Sequence, residues 1–310
     1  MKNELYFWVE RYLFYPNFAQ KILSYLLLPL TAIYCFVVYL KRVFAKVEDF
    51  DLPIISIGNL VVGGSGKTPF TISLASELKN VAIVLRGYKR ESTGLIVVSQ
   101  YGVITSNLQR SGDEAMLLAQ SLPKATVIVS EDRKKGILKA KELGAKVVLL
   151  DDGFSHANIK KFDILIKPAV NFSNSFCLPS GPFRESTTYY RKADLLAIEG
   201  LDFTRKVDIK NQTDRMVLVT AISKPQRLDR YLPDFIEKVY YPDHYSFSGT
   251  ELEAILRKYS ADSILTTQKD AVKIKQFRID LSIMELDLIL KPYILEAVNR
   301  YIEDFDILTP

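Results

Sequence analysis

The sequence predicts an α/β protein built on a mostly parallel sheet, with a second, smaller α/β lobe and an apolar, membrane-associated N-terminal helix. Short apolar runs alternate with helical patterns along most of the chain, which is typical of parallel sheets covered by helices on both faces. A glycine-rich segment that ends in Lys67-Thr68 follows the first of these runs, as in a P-loop core. The stretch Ile22–Leu40 carries no charge.

The composition allows a globular fold and excludes few functions. Of the 310 residues, 48% are hydrophobic and 25% charged, so the chain can bury a core. The formal net charge of +5 suits an anionic membrane surface or a phosphorylated substrate. Two cysteines and two histidines, with no C-x-x-C pair, argue against a zinc site and favour a reducing, cytosolic setting. No nucleic-acid or protein partner is indicated.

The uncharged stretch Ile22–Leu40 predicts a single helix of ~28 Å, about the thickness of the hydrocarbon core of a bilayer. Pro29 is tolerable in such a helix. Basic residues flank both ends, so the positive-inside rule does not orient it. Whether the helix spans the membrane or lies in the interface stays open, and a buried core helix is the alternative. No signal-peptide cleavage site follows it.

The remaining elements follow from apolar runs and helical periodicity. We expect core strands at 52–60, 81–88, 125–130, 146–154, 162–169 and 193–200, and second-lobe strands at 216–222, 238–247, 263–270 and 282–290. We expect helices at 68–80, 112–122, 131–145, 224–235, 250–260 and 292–305, with Thr250 and Glu253 as a capping box. The predicted segments are 1–48 (membrane-associated), 49–202 (P-loop core), 203–215 (hinge or linker) and 216–310 (second lobe).

The glycine-rich loop predicts a nucleotide site. The usual spacing, G-x-x-x-x-G-K-[ST], would place its first glycine at Val61. The loop still offers glycines for close approach of a phosphate, Lys67 as a positive charge and Thr68 as a Mg²⁺ ligand. An ordinary glycine-rich turn is the alternative. The predicted nucleotide-binding residues are Val61, Val62, Gly63, Gly64, Ser65, Gly66, Lys67 and Thr68.

Two pairs of acids follow strands or begin helices. Asp151 and Asp152 end an apolar strand, where a P-loop protein carries the carboxylate that holds Mg²⁺ or water. Asp113 and Glu114 begin a helix, where acids also occur simply because they stabilise the helix dipole. A kinase acting on an alcohol needs a carboxylate to accept the hydroxyl proton, so one of these acids is a candidate base.

Other candidates are weaker on their own. His244 lies in an aromatic turn, where a lone histidine is more often a bystander. Arg133 and Arg184 could bind phosphates, but a solvated helix face and a loop salt bridge are equally ordinary explanations.

The motifs together resemble those of the tetraacyldisaccharide 4'-kinases over nearly the whole chain. The shared segments are SIGNLVVGGSGKTPF, LRGYKR, GDEAMLLA, DRKKG, LLDDGFSH, GPFRES, YYPDHYSF and TTQKDAVKI. The displaced first glycine is how the loop of this family is written. The sequence departs from the family pattern at Ser155, Ser186 and Gln268, where Gln, Pro and Glu are expected, and this puts a metal or nucleotide contact of residue 268 in doubt.

The resemblance implies transfer of the γ-phosphate of ATP, with Mg²⁺, to the 4'-hydroxyl of an acylated glucosamine disaccharide 1-phosphate, which gives lipid IVA in lipid A biosynthesis. It implies membrane lipids as partners and the inner membrane as location, with the catalytic lobes on the cytoplasmic face. Residue by residue, the resemblance implies that Asp113 is the general base and that His244 raises its pKa and orients it. It also implies that Lys67 takes part in catalysis. Thr68, Glu114, Asp151 and Asp152 match metal-binding positions, and Tyr88, Arg133 and Arg184 match substrate or phosphate positions.

Other functions remain as alternatives. A membrane-tethered P-loop NTPase switch would fit the loop, but a GTPase should carry N-K-x-D, and Gln268-Lys269-Asp270 is out of register with it. A soluble nucleotide or sugar kinase would need the N-terminal helix to be core. A nicotinamide dehydrogenase would want G-x-G-x-x-G, which the loop lacks.

Overall fold

The computed structural model describes residues 2–64, 66–169, 172–222 and 225–308. Its helices are α1 (Lys2–Phe14), α2 (Phe18–Leu26), α3 (Leu28–Val43), α4 (Lys67–Ser76), α5 (Leu108–Ser111), α6 (Asp113–Ser121), α7 (Arg133–Glu142), α8 (Gly249–Tyr259), α9 (Gln268–Ile274) and α10 (Pro292–Leu308). Its strands are β1 (Ile54–Gly58), β2 (Val81–Leu85), β3 (Ile96–Gln100), β4 (Val103–Ile104), β5 (Thr126–Val129), β6 (Val147–Asp151), β7 (Phe162–Lys167), β8 (Leu195–Ile198), β9 (Phe203–Lys210), β10 (Met216–Thr220), β11 (Glu237–Tyr240), β12 (Ser263–Thr267) and β13 (Leu281–Leu290).

The chain divides into two compact units, and neither is a single contiguous stretch. The first unit comprises Met1–Lys67, Val147–Phe203 and Leu290–Pro310. The second comprises Thr68–Lys146 and Thr204–Ile289. The stretch 203–215, which the sequence predicts as a linker, contains strand β9.

The first unit contains four parallel strands in the order β6-β1-β7-β8. Every residue of β1 and β6 is buried, as expected for strands rich in Ile, Val and Leu and covered on both faces. Ile57 near the end of β1 stands opposite Asp151 at the end of β6. Because parallel strands end at the same edge, this register brings the glycine-rich loop next to the acidic strand end.

Gly58 at the end of β1 is required by the close approach of another segment. A Cβ at this position would lie 2.5 Å from Cβ of Phe154, a separation that would force the backbone to move. The glycine therefore allows the chain after β6 to pack directly against the entrance of the loop.

The second unit contains strands of two sheets. In the first, with the order β4-β3-β5-β2, β2 and β5 are parallel while β3 and β4 add an antiparallel edge. In the other, with the order β11-β10-β12-β13-β9, β11, β10, β12 and β13 pair in parallel. Apolar clusters cover both faces of this second sheet. The mixed α/β class and the mostly parallel pairing agree with the prediction.

Several predicted elements differ in the structure. The predicted helix at 224–235 is a 3₁₀ turn, Pro225–Tyr231, where it is described. The predicted strand at 263–270 ends at Thr267, whose side chain accepts a hydrogen bond from the backbone N–H of Asp270 and so begins α9. The capping box at Thr250 is wrong, because Ser248 caps α8 by accepting from the N–H of Glu251.

The prediction of a single N-terminal helix is also wrong. The stretch breaks at Leu27 into α2 and α3, and Pro29 lies in the first turn of α3. A proline lacks the N–H that a continuous helix would need, but it is well accommodated in a first turn. Among the described residues no single helix has the length and apolar composition of a membrane span, whereas α2 and α3, bent by 55°, meet those criteria together.

Side-chain hydrogen bonds attach α1 and α3 to the segment Leu178–Glu185 of the same unit. Tyr12 donates to the carbonyl of Pro179 (2.9 Å), Thr31 to the hydroxyl of Ser180 (2.7 Å) and Tyr34 to the carbonyl of Arg184 (2.8 Å). Arg42 forms two hydrogen bonds to the buried carboxylate of Glu185, at 2.6 and 2.9 Å. The N-terminal helices are therefore built into the first unit.

The buried residues of α2 and α3 are polar, and most of the large apolar side chains on these two helices are exposed. Gln20, Ser24 and Thr31 are the buried residues of α2 and α3. The exposed large apolar residues of the N-terminal segment are Leu5, Trp8, Val9, Tyr15, Phe18, Ile22, Tyr25, Leu26, Leu30, Ile33, Phe36, Val37, Tyr39, Val43, Phe44 and Val47. This reverses the usual pattern of a soluble surface helix. We call these sixteen residues the N-terminal apolar face.

We predict that Arg42→Ala destabilises the first unit by ~3–5 kcal/mol, because it leaves the carboxylate of Glu185 buried without its partner. The guanidinium also stacks on the rings of Phe154 and Tyr189, at 4.3 and 4.6 Å. Denaturant unfolding in detergent, followed by circular dichroism, measures the change in the free energy of unfolding.

Lys41→Ala is the matched control, since Lys41 is exposed and adjacent in sequence. Equal unfolding free energies for the two variants would show that the Arg42–Glu185 pair does not hold α3 in place.

Candidate functional site

The glycine-rich loop follows β1 in the first unit. Gly63 and Gly66 have φ of 90° and 88°, which is the left-handed region that glycine adopts without strain. Ser65 lies outside the described residues. The loop ends at Lys67, the first residue of α4, so the N-terminus of a helix follows the glycines, as a phosphate site requires.

Val61 and Val62 differ from the rest of the predicted loop. The side chain of Val61 is buried in an apolar cluster with Leu60 and Phe183, and its backbone bridges to Phe183. The N–H of Val62 donates to the carbonyl of Pro182 at 2.9 Å. These two residues therefore anchor the entrance of the loop.

Lys67 lies among polar groups of the same unit. Its ammonium nitrogen is 3.0 Å from Oδ1 of Asn59 and 3.7 Å from Oδ1 of Asp152. The amide nitrogen of Asn59 donates to the carbonyl of Val61 at 2.8 Å. Asn59 therefore fixes both the turn after β1 and the direction of the lysine.

Arg184 joins the loop to the acidic strand end. Its guanidinium forms two parallel hydrogen bonds of 2.9 Å to the carboxylate of Asp152, the strong fork geometry of arginine–carboxylate pairs. It also donates to the carbonyl of Asn59 at 3.0 Å and to the side-chain oxygen of Asn59. Burial alone would lower the pKa of Arg184, but the bonds to Asp152 raise it above its usual value. Arg184 thus forms the loop salt bridge that the sequence offered as an alternative to phosphate binding. We call Asn59, Lys67, Asp152 and Arg184 the loop cluster.

The predicted metal ligands do not form a complete protein site. Among the residues that the structure describes, no group of three or more His, Cys, Asp or Glu side chains could hold a metal ion. Asp151 is buried at the end of β6, and Asp152 follows with φ of 56°. One or two carboxylates beside a phosphate loop suit Mg²⁺ that is bound together with a nucleotide, because Mg²⁺ keeps waters and phosphate oxygens as ligands.

Asp113 and His244 meet in the second unit. Oδ2 of Asp113 lies 2.8 Å from Nδ1 of His244, and both side chains are about nine-tenths buried. Gly112 precedes α6 with φ of 83°, and a Cβ there would lie 3.0 Å from the carbonyl of Tyr88. His244 itself has φ of 63°, and its N–H donates to the carbonyl of Ala221. Two unusual backbone conformations therefore bring the pair together.

The pKa of Asp113 is lowered, whereas the prediction was that His244 raises it. Burial raises the pKa of Asp113, but the hydrogen bond with His244 and the positive charges around the carboxyl group bring it below its usual range. Lys269 and Lys273 add to this lowering. Oδ1 of Asp113 also accepts the N–H of Glu114 at 3.1 Å. Asp113 is therefore a carboxylate at neutral pH, and it can accept a proton.

Tyr88 and Arg133 occupy different surroundings. The ring of Tyr88 meets the ring of His244 edge to face, with centroids 5.4 Å apart. Arg133 is buried at the start of α7 and donates to the carbonyl of Ser130 at 2.7 Å, so the alternative of a solvated helix face is wrong. Tyr88 thus lies beside the pair formed by Asp113 and His244, while Arg133 holds a strand–helix turn.

The residues that depart from the family pattern have structural contacts. Oε1 of Gln268 accepts the backbone N–H of Leu286 at 3.2 Å. Ser186 caps the 3₁₀ turn Thr187–Arg191. Asp270 is fully buried and lies 2.8 Å from the ammonium of Lys273. Its Oδ2 accepts hydrogen bonds from the hydroxyl of Thr220 and the N–H of Ala221, so it joins α9 to the end of β10.

Asn59, Asp243 and Lys269 are not among the residues that the sequence predicts to be functional. Asn59 directly follows β1, and Lys269 directly follows the end of β12 and Gln268, so position at a strand end is the signal that could have found both. Lys269 lies 3.3 Å from Asp243 and 3.4 Å from His244.

Known proteins match the chain along nearly its whole length. The family model described as LpxK, tetraacyldisaccharide-1-P 4'-kinase, matches residues 23–214 and 199–303. Proteins named tetraacyldisaccharide 4'-kinase from Aliarcobacter butzleri and Helicobacter pylori are 50% and 48% identical to it, over 98% and 97% of this chain and 100% and 96% of theirs. The one from Campylobacter jejuni subsp. doylei is 46% identical, over 96% of this chain and 97% of its own.

A solved structure also matches. The crystal structure of LpxK from Aquifex aeolicus in complex with ATP has a TM-score of 0.75 and 27% sequence identity, covering 90% of this chain and 99% of that one. The family match, the relatives and the loop and acid–histidine geometry agree. The chain belongs to the tetraacyldisaccharide 4'-kinase family.

Proposed function

We propose that this protein transfers the γ-phosphate of ATP to the 4'-hydroxyl of tetraacyldisaccharide 1-phosphate in lipid A biosynthesis. The observation that carries the mechanism is the buried contact between Asp113 and His244 in a chain of this family. A switch NTPase needs no base for an alcohol, whereas a kinase acting on a hydroxyl does. The family match and the ATP-bound relative support the reaction and the donor.

The loop binds the phosphates of ATP. Backbone N–H groups from Gly63 onward and the N-terminus of α4 favour the anionic oxygens. Lys67 moves from Asn59 and Asp152 onto the phosphate oxygens and neutralises charge that develops during transfer. Asn59 and Arg184 hold the entrance of the loop, so its backbone is positioned before the nucleotide arrives.

Mg²⁺ fits the acidic strand end as a companion of the nucleotide. Thr68, Asp151 and Asp152 would hold it, together with phosphate oxygens. Bound there, the ion would supply further positive charge to the phosphates. Glu114 lies beside Asp113 on α6, and its backbone N–H holds Oδ1 of Asp113.

Asp113 accepts the proton of the acceptor hydroxyl. The O–H bond of the acceptor breaks, its oxygen bonds to the γ-phosphorus, and the bond from that phosphorus to the bridging oxygen breaks to release ADP. His244 orients the carboxylate, and the ring of Tyr88 supports the imidazole. In-line transfer depends on this positioning more than on base strength, because little covalent assistance is required.

The N-terminal apolar face docks into the membrane that holds the acylated acceptor. Sixteen large apolar residues are exposed on this one segment, and large exposed apolar patches mark membrane or protein interaction sites. Polar residues face the protein on the same helices. Because ATP is cytosolic and the acceptor stays in the bilayer, we infer that the protein works at the inner membrane with its nucleotide-binding region on the cytoplasmic face.

We predict that the full chain transfers labelled γ-phosphate from ATP to detergent-dispersed tetraacyldisaccharide 1-phosphate in the presence of Mg²⁺. Lys67→Met should lower kcat by roughly 10²–10³-fold, because it removes a charge that stabilises the transition state. Thin-layer chromatography of the labelled lipid measures the product.

The control for this variant is Lys79→Met, at an exposed lysine that follows α4, which should retain activity. Hydrolysis of ATP without labelled lipid would contradict the kinase assignment and favour the switch.

We predict that Asp113→Asn lowers kcat by roughly 10²–10⁴-fold and leaves ATP affinity nearly unchanged, since the amide cannot accept the hydroxyl proton. Single-turnover transfer and equilibrium ATP binding measure the two quantities. Asp229→Asn, at the exposed pair with Lys238, should behave as wild type. Turnover of Asp113→Asn close to that of the control would show that another group is the base.

We predict that the double substitution Ile33→Asp with Phe36→Asp weakens binding to vesicles of anionic phospholipid at least tenfold, because each charge costs ~2.5–3.5 kcal/mol at membrane depth. Both residues are about 60% exposed, so folding should be retained. Flotation in a density gradient measures binding. Val103→Asp, at an exposed apolar residue of the second unit, is the control, and equal flotation of both proteins would exclude the N-terminal apolar face as the docking surface.

A further inference from the structure

Lys269 lies on the side of the His244 ring that faces away from Asp113. Its ammonium nitrogen is 3.4 Å from Nε2 of His244 and 3.3 Å from Oδ1 of Asp243. Nδ1 of the same ring is 2.8 Å from Oδ2 of Asp113. The imidazole is therefore held at both nitrogens, by a carboxylate on one side and by an ammonium group on the other.

The start of α9 determines where Lys269 lies. Thr267 caps this helix, and α9 packs against α6, which carries Asp113. Lys269 is the second residue of α9 and is only about one-fifth exposed. The lysine thus approaches the ring from a helix that is packed against the helix of the carboxylate.

The chemistry of the contacts selects one form of the imidazole. An ammonium group has three donors and no acceptor, so it can bond Nε2 only where that nitrogen carries a lone pair. A doubly protonated ring would set an N–H and a second positive charge against Lys269. A ring protonated at Nε2 alone would turn the lone pair of Nδ1 toward the carboxylate of Asp113. The neutral ring with its hydrogen on Nδ1 satisfies both contacts.

The charged groups around the ring keep Lys269 protonated. Burial alone would lower the pKa of Lys269, but Asp243, Asp113 and Glu114 raise it above its usual value. Lys273, from the next turn of α9, also faces this region, but its ammonium lies 2.8 Å from Asp270. Oδ2 of Asp243 is 3.7 Å from Nε2 of His244, beyond hydrogen-bond distance.

We propose that Lys269 is a positioning residue that holds His244 as the neutral tautomer with its hydrogen on Nδ1. The inference rests on the proposed kinase function and adds the path of the proton. Nδ1 already carries a hydrogen, and the lone pair of Nε2 is bonded to Lys269, so the imidazole has no position for another proton. The proton that leaves the acceptor hydroxyl therefore stays on Asp113, and His244 donates to that carboxylate throughout the transfer.

The first test reads the two ring nitrogens directly by NMR of the full chain labelled with ¹⁵N-histidine in detergent at neutral pH. The chain has two histidines, so His156→Gln assigns the signals of His244. We expect Nδ1 of His244 to be of the protonated type and Nε2 of the unprotonated, hydrogen-bonded type. Protonation at Nε2, or at both nitrogens, would overturn the proposal without any variant of Lys269 being needed.

The second test removes the donor. Lys269→Met should shift the ring toward a mixture of tautomers and lower kcat about tenfold with little change in KM for ATP, a smaller loss than removal of the base itself. Lys269→Arg keeps a donor and should restore both the nitrogen pattern and most of the rate. Lys275→Met removes an exposed charge just after α9 and should leave both unchanged.

The outcomes separate this proposal from the proposed function. An unchanged nitrogen pattern in Lys269→Met, or equal rates for Lys269→Met and Lys275→Met, would overturn the positioning role. A wild-type chain with the expected nitrogen pattern but no transfer to the lipid would overturn the kinase function and support the geometry of the ring.

Discussion

The fork that Arg184 forms with Asp152 holds the first unit together at its functional edge. The same side chain bonds Asn59, which in turn orients Lys67. The backbone of Arg184 bonds Leu60 through its N–H and Tyr34 through its carbonyl. One residue therefore links the acidic strand end, the phosphate loop and helix α3. Since the neighbouring Glu185 pairs with Arg42, the attachment of the N-terminal helices and the position of the loop depend on the same short segment.

This dependence explains why the loop tolerates Val61 at the position where the usual spacing has its first glycine. In an ordinary loop of this type the first glycine allows a tight turn, but here Val61 is buried and bridged to Phe183. The backbone of the segment Gly181–Arg184 bonds the backbone of this turn. The side chain of Asn59 bonds the carbonyl of Val61 within the turn. Val61 thus contributes apolar packing, and the conformational freedom that a phosphate site needs is supplied by Gly63 and Gly66.

Sequence patterns predicted most of the strands, because β1, β2, β5 and β6 are apolar runs between turn signals, and local periodicity reports burial directly. They also predicted Lys67, Asp113 and His244, through spacing and family motifs. What they missed depends on tertiary contacts. The break at Leu27 separates α2 from α3, whose Thr31 and Tyr34 bond Ser180 and Arg184. Ser248 rather than Thr250 caps α8, because the helix begins at Gly249. The contact of Lys269 with His244 joins residues 25 positions apart, which no local pattern encodes.

The lowered pKa of Asp113 makes it a weak base, which at first conflicts with its proposed task. A strong base would be needed if the hydroxyl had to be fully ionised before attack. In phosphoryl transfer the bond to the leaving oxygen is largely broken in the transition state, and the hydroxyl proton becomes acidic only as its oxygen bonds to phosphorus. A carboxylate that is always ionised and fixed in direction then serves better than one that is half protonated, because every bound hydroxyl finds an acceptor. On this view His244 and Lys269 contribute orientation, and the driving force for proton transfer comes from the reaction itself.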